Sequence, residues 1–239
     1  MKRALQIVAL LYLLFSLTSC ATTNLKTYYF PISEDSETLV YKYVNPQDSS
    51  LSEYWEVISD PYENSLITNS YNADFTIYNS FEEEFTEEGA KLTSYIDYEK
   101  TNEGEIKEIK AETITDDVFL WDSKNSYSFS LKYVNKYGRF DLMKKRKDLG
   151  FEEVEINDEK YKTVKFVDQY YVHAIDQEDK YIFQQVSYYA ANMGMVKYER
   201  FIPNSGPQVL ELVEIMTKRE FELEKARYKN HAATLASGE

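Results

Sequence analysis

From Thr38 to Met216 the sequence keeps returning to one pattern: apolar and polar residues alternate for several positions, and a turn residue then intervenes. Period-two alternation places successive side chains on opposite faces of an extended strand. Residues 38–44 form one such run and Asn45-Pro46-Gln47-Asp48 a turn; residues 53–58 form a second, ended by Asp60-Pro61. Phe75, Ile77, Asn79, Phe81, Glu83 and Phe85 share one face of a third, which Gly89 closes. Residues 92–98 lead into Asn102-Glu103-Gly104, a hairpin signal. Ile106, Ile109 and Ile114 follow less regularly. Tyr127, Phe129, Leu131 and Tyr133 alternate with Ser128, Ser130 and Lys132 before a turn at 135–138. Later pairs are 154–156 with 161–167, 170–175 with 181–189, and 195–201 with 209–216, each flanking a polar turn. Roughly ten to twelve strands at roughly 8–12-residue spacing predict a mainly β fold. The expected architecture is a large antiparallel meander sheet, curved or partly closed into a barrel. No long helical pattern precedes residue 217, which disfavours βαβ architectures.

Composition agrees. Twenty-two Tyr and thirteen Phe stand against seven Gly and five Pro, a balance that suits strands rather than disorder. The formal net charge is −14, from 41 acidic and 27 basic residues. Such a charge repels phosphate backbones, so no nucleic acid is expected as a partner. It also repels anionic headgroups, so membrane contact is not expected from a basic face.

The first twenty residues read as a targeting segment. Lys2 and Arg3 precede the uncharged, mostly apolar residues 4–17, a stretch shorter than the ~20 apolar residues of a spanning helix. It ends in Leu17-Thr18-Ser19-Cys20, which resembles the lipobox of bacterial lipoproteins. The resemblance implies cleavage between Ser19 and Cys20 and acylation of Cys20, with chains such as palmitate. One acyl chain holds a protein only marginally; two or more, at ~0.8 kcal/mol per buried CH₂, hold it firmly. Loss of Lys2 and Arg3 would deepen the side-chain charge from −14 by two further units. Cys20 is the only cysteine, so neither an intramolecular disulfide nor a zinc site built from cysteines is available. Ala21-Thr22-Thr23-Asn24 follows, with no Asp beside the cysteine and no acidic run. By resemblance to Gram-negative sorting rules, the expected location is the cell envelope, on the outer membrane facing the periplasm.

The expected organisation is a signal peptide at 1–19, the lipidated cysteine and a tether at 20–27, the β domain at 28–216, and a charged tail at 217–239. The tail reads as a short, poorly amphipathic helix, with a wholly unstructured tail as the competing expectation. Glu220 and Glu224 repel at i,i+4, while Glu222–Lys225 is a compatible spacing.

Assembled chemistry is scarce. No two glycines lie closer than about a dozen residues, so phosphate-binding loops and the GxSxG elbow cannot be built. His173 and His231 are the only histidines, one in an aromatic strand and one in the tail. No catalytic residue, metal ligand or cofactor is therefore assigned. Glu82-Glu83-Glu84, Glu87-Glu88 and Asp116-Asp117 offer hard oxygen ligands for calcium, yet none matches an EF-hand loop, and solvated strand ends explain them as well. The doublets Tyr28-Tyr29, Tyr170-Tyr171 and Tyr188-Tyr189 each put one ring on either face if they lie on strands. The outward ring either packs on a neighbouring strand or contacts a ligand.

Tyr28-Tyr29-Phe30-Pro31 with residues 39–43, and Tyr188-Tyr189-Ala190-Ala191-Asn192-Met193-Gly194-Met195-Val196-Lys197-Tyr198, resemble a loose group of uncharacterised, Bacteroidetes-like lipoproteins. That group also has a middle strand like Tyr161-Lys162-Thr163-Val164-Lys165, so the resemblance runs from Tyr28 to Met216. Ile32-Ser33-Glu34-Asp35 stands where that group has a Gly-containing turn. The pattern is also similar to outer-membrane lipoprotein carriers, whose bent sheets hold acyl chains; the likeness is one of architecture. Three functions follow as expectations: a non-catalytic interaction or structural module, with an envelope protein as partner; a carrier of a hydrophobic ligand, requiring an apolar cavity; and a carboxylate-dependent glycan hydrolase, requiring two buried acids with raised pKa values in one cleft.

Overall fold

The computed structural model describes residues 24–32, 35–101, 103–122 and 126–237. Ser19 and Cys20, with the whole targeting segment, lie outside the described residues. The strands are β1 (Glu37–Val44), β2 (Ser52–Asp60), β3 (Ser65–Asn72), β4 (Ile77–Phe85), β5 (Gly89–Lys100), β6 (Ile106–Lys110), β7 (Glu112–Leu120), β8 (Tyr127–Asn135), β9 (Gly138–Ile156), β10 (Glu159–Ala174), β11 (Asp179–Ala190), β12 (Gly194–Phe201) and β13 (Gln208–Thr217). They form one antiparallel meander in which β13 pairs with β1 and β4 pairs with β5. The sheet therefore closes on itself, and β6 alone hangs on the far end of β5 outside the ring. Closure removes the exposed edges of an open sheet. Twelve strands remain in the ring, between the roughly eight that side chains can fill and the roughly sixteen that leave an aqueous channel.

Most strand expectations hold, with instructive exceptions. The runs at 161–167 and 170–175 belong to one strand, β10. Asp168 and Gln169 look like a break only because Asp168 points into the barrel. The short strand expected at 154–156 is the end of the nineteen-residue β9, whose Lys144-Lys145-Arg146-Lys147-Asp148 run hides its alternation. Phe75 is not on β4 but in the preceding turn, at φ 62°. Gly150 sits inside β9 at φ +88°, where β9 bulges against Lys165 and Phe166 of β10.

Chain packing begins earlier than the expected tether allows. The Leu25 amide donates to the Trp121 carbonyl at 2.8 Å, and Leu25 is buried. A 3-10 turn follows at Lys26–Tyr28, so Tyr28-Tyr29 is not on a strand. Tyr29 and Phe30 then plug one end of the barrel, where Tyr29 touches the rings of Phe85, Phe119, Trp121 and Tyr189. Phe30 lies over Gly194, at φ +83°; a Cβ there would fall 2.5 Å from its ring. The two stretches that carry the lipoprotein resemblance thus pack on each other.

The tail is a twenty-residue helix, α1 (Lys218–Ser237), longer than the short helix expected. Its start is a capping box: the Glu220 amide donates to Thr217 Oγ1 at 3.3 Å, and the Glu220 carboxylate accepts from the Thr217 amide at 2.8 Å. Phe221, wholly buried, docks α1 on the outside of the barrel against Tyr54, Tyr71 and Phe75. Glu224 turns to Lys42 at 2.7 Å and Tyr54 at 2.9 Å, which separates it from Glu220.

Candidate functional site: a charged ladder in the barrel lumen

Alternation decides which side chains enter the barrel. On β9, Lys145 and Lys147 are exposed, whereas Arg146 is buried and Lys144 nearly so. On β4, Glu82 and Glu84 are exposed and Glu83 is buried. Arg146 is in register with Asp168 on β10, Asp168 with Gln185 on β11, and Gln185 with Arg200 on β12. Four strands thus contribute one interior row, and strand tilt in a barrel carries such a row obliquely along the lumen.

The row is bonded end to end. Arg146 grips Asp168 bidentately, Nε to Oδ1 at 2.7 Å and Nη2 to Oδ2 at 2.8 Å. Arg146 Nη2 also reaches the Tyr189 hydroxyl at 3.2 Å, and the guanidinium lies 5.0 Å from the centre of the Phe166 ring. Asp168 Oδ2 accepts in addition from Ser187 Oγ at 3.3 Å and pairs with Lys144 Nζ at 3.2 Å. Gln185 donates to Ser187 at 3.0 Å and accepts from Arg200 Nε at 3.0 Å. Arg200 Nη1 crosses to Glu53 on β2 at 2.9 Å, and the other oxygen of Glu53 accepts from Tyr198 at 2.6 Å and Tyr78 at 2.8 Å.

Protonation follows from these contacts. Burial disfavours the charged form of every group here, and an opposite charge in contact restores it. Asp168 is held below the usual carboxylate range: burial pushes it up, and Arg146 and Lys144 outweigh that. Glu53 is likewise held low against burial by Arg200 and its hydroxyl donors. Lys144 is drawn below its ordinary value by burial and by Arg146, with Asp168 opposing. Glu83 has no cation in contact among the described residues; its carboxylate meets the Tyr29 hydroxyl, at 2.8 and 2.7 Å from its two oxygens. Burial pushes Glu83 up to about 7, against smaller opposing effects from Tyr29, Lys144 and Arg146.

Beside the ladder lies a cavity of about 350 Å³. Phe81, Val118, Phe129, Leu131, Leu142 and Met195 give it an apolar wall, and Lys144, Arg146, Arg200 and Glu83 give it a charged one. Side-chain exposure rises along the ladder, from 3% at Arg146 through 12% at Lys144 to 25% at Arg200. The plug of Tyr29 and Phe30 closes the Arg146 end, and Ile202, in the β12–β13 turn, lines the cavity while exposed. The mouth is therefore at the Arg200 end.

The sequence-derived candidates lie elsewhere. His173 is half-buried in register with Asp141 and Lys180, and His231 is exposed on α1. Glu87 and Glu88 are exposed, and Asp116 and Asp117 share Lys91. Among the described residues no three His, Cys, Asp or Glu side chains converge to hold a metal. Of the carboxylates in and behind the cavity, Glu83 is raised by burial while Asp168 and Glu53 are lowered; Asp97, also raised by burial, stands opposite the cavity-lining Asn79, four positions along β4 from Glu83. Tyr170 does bear out the doublet reading, stacking inside on Phe183 at 4.4 Å while Tyr171 faces outward. Nothing in the residue types of Lys144, Arg146, Asp168 and Arg200 distinguishes them from the exposed charges beside them in sequence, such as Lys145 and Lys147. Glu83 was visible as the one acid on the apolar face of its strand.

No protein-family model matches the chain, and no curated protein matches it in sequence. The fold is similar to three solved bacterial structures. An inferred lipoprotein of Parabacteroides distasonis has a TM-score of 0.45 and 14% identity, over 78% of this chain and 97% of that one. An inferred exported protein with YmcC-like fold from Bacteroides fragilis has a TM-score of 0.48 and 12% identity, over 79% of this chain and 99% of that one. The hypothetical lipoprotein YmcC of Escherichia coli has a TM-score of 0.33 and 6% identity, over 78% of this chain and 90% of that one.

Proposed function

We propose that this protein is a cell-envelope binding protein, anchored through lipid on Cys20, whose barrel holds a small, largely apolar molecule without chemically changing it. The observation that carries this reading is the cavity of about 350 Å³, walled by apolar and aromatic side chains and closed at one end. Its size falls at the lower end of the ~300–1,000 Å³ of small-molecule sites, and a few placed polar groups among apolar walls are the usual composition of such sites. A hydrophobic ligand supplies the affinity through buried apolar area, at ~25 cal/mol per Å². The chain starting at Ala21, which includes every described residue, should bind the neutral fluorescent probe N-phenylnaphthylamine. Leu142→Trp, which fills the void, should weaken that binding about tenfold. Equal binding by both forms would place the probe outside the barrel and remove the reading. The anchor has its own test: Cys20→Ser should leave the protein soluble or unprocessed, and a mature-sized, membrane-bound Cys20→Ser protein would remove it.

A second reading, the interaction module, is favoured by a separate observation. Ile114, Met143 and Ile182 are exposed beside Tyr171 on the outside of the barrel. Clustered exposed apolar side chains are a common mark of a protein contact. Charged substitutions at Met143 and Ile182 would abolish envelope crosslinks under this reading and spare probe binding.

A further inference from the structure

The donors and acceptors along the ladder do not come out even. Arg146 is committed: Nε and Nη2 go to Asp168, and Nη1 lies 3.4 Å from the Val118 carbonyl. Arg200 has a carboxylate of its own: Nη1 donates to Glu53, while Nε donates to Gln185. Lys144 has three ammonium hydrogens and, among the described residues, one acceptor, Asp168 Oδ2. That oxygen already receives Arg146 and Ser187. One ionised carboxylate therefore serves two buried cations. The other carboxyl nearby, Glu83, contacts Tyr29 rather than either cation.

A surplus buried charge is costly unless something pairs with it. Here Lys144 lines the cavity, beside the rings of Tyr170 at 5.3 Å and Phe129 at 5.8 Å. The acids that balance the cations, Asp168 and Glu53, do not line it. The wall thus presents three cations and one carboxyl to the void, in a chain whose net charge is −14.

We propose that the molecule held in the lumen is an amphiphile with one anionic head, which pairs with the Lys144 ammonium while its apolar part lies along Phe81, Phe129, Leu131 and Leu142. This deepens the binding reading above and rests on it. An anion at Lys144 would supply the missing counter-charge and accept the two unused hydrogens. It would also oppose the burial and the Arg146 repulsion that weaken the ammonium's hold on its proton. Charge-assisted hydrogen bonds of this kind are short and about twice as strong as neutral ones.

The test is displacement of N-phenylnaphthylamine from the chain starting at Ala21 by three ligands of equal chain length: decanoate, decyl phosphate and decanol. Decanoate or decyl phosphate should compete at least about tenfold better than decanol, and the better of the two identifies the head as carboxylate or phosphate. Lys144→Met should abolish that preference, whereas Lys144→Arg should keep it. A far-ultraviolet circular dichroism spectrum and a urea unfolding transition as cooperative as the parent's show that the barrel is intact in both variants. If the probe binds and decanol matches both anions, the anionic head is wrong and the binding reading stands. Survival of the preference in Lys144→Met would overturn the inference equally. If the probe itself never enters the lumen, it is the binding reading that fails.

Discussion

Glu83→Gln should stabilise the protein at alkaline pH and do little at acid pH. The folded barrel pushes the Glu83 carboxyl up to about 7 because burial strips it of water, which outweighs the Tyr29 hydroxyl and the more distant Lys144 and Arg146. An unfolded chain returns it to about 4.3. The folded state therefore holds this proton more tightly, and its contribution to stability is full below about pH 4 and is lost as pH rises through about 7. A gap of about 2.7 in pKa, at about 1.4 kcal/mol each, corresponds to between 3 and 4 kcal/mol, roughly. About 2.5 kcal/mol of that loss falls between about pH 5 and about pH 9. Gln keeps the shape, still accepts the Tyr29 hydroxyl and never ionises, so the variant escapes the loss. Urea unfolding of both forms at the two pH values reads this directly: the advantage of the variant should grow by about 2.5 kcal/mol from acid to alkaline. Parallel stability profiles would refute the reasoning, since Glu83 would then titrate as an ordinary, hydrated carboxylate.

Other perturbations probe the remaining supports. Asp168→Asn leaves Arg146 and Lys144 without their shared carboxylate, and should cost about 3–5 kcal/mol in urea unfolding, as breaking buried ion pairs does. Phe221→Ala should cost about 3 kcal/mol and speed amide exchange across α1 first, because that ring holds the helix on the barrel. Gly194→Ala should cost about 2 kcal/mol or more, from its positive φ and from collision with Phe30. In a Phe30→Ala background the collision is gone, and the cost of Gly194→Ala should fall; a double-mutant cycle measures the difference.

Much of the barrel was legible and little of its lumen was. Period-two alternation found β1, β8 and β12 because their inward residues are aromatic or aliphatic, as at Tyr127, Phe129 and Leu131. The same rule failed at β9 and in the middle of β10, where the inward residues are Lys144, Arg146 and Asp168. A charge at an inward position is indistinguishable, in one strand alone, from a charge in a turn. What makes it tolerable is a partner on the neighbouring strand: Arg146 and Asp168 lie 22 residues apart and meet only because the β9–β10 register brings them opposite each other. Charge balance across a sheet is a property of register, and register is not written in any single run. The α1 start was written locally, in Thr217 and Glu220, and its docking was not, since Phe221 packs on strands about 150 residues earlier in the chain.

The position of the plug gives the barrel an orientation once the anchor is on Cys20. Leu25, fixed to Trp121 at the closed end, lies five residues beyond Cys20, the residue we propose to be acylated. At about 3.3–3.6 Å per residue, that chain spans at most about 18 Å. The closed end is then tied near the bilayer and the mouth, beside Arg200 and the β12–β13 turn, faces away from it. A ligand would enter from the aqueous side, without passing along the anchor. A fluorophore on Asn192, beside the plug, should be quenched strongly by spin-labelled lipid in vesicles carrying the acylated protein. One on Ser205, at the mouth, should be quenched weakly, because quenching falls off steeply with distance. Equal quenching at the two sites would mean that the barrel lies on its side, and the mouth would then be open to the membrane surface.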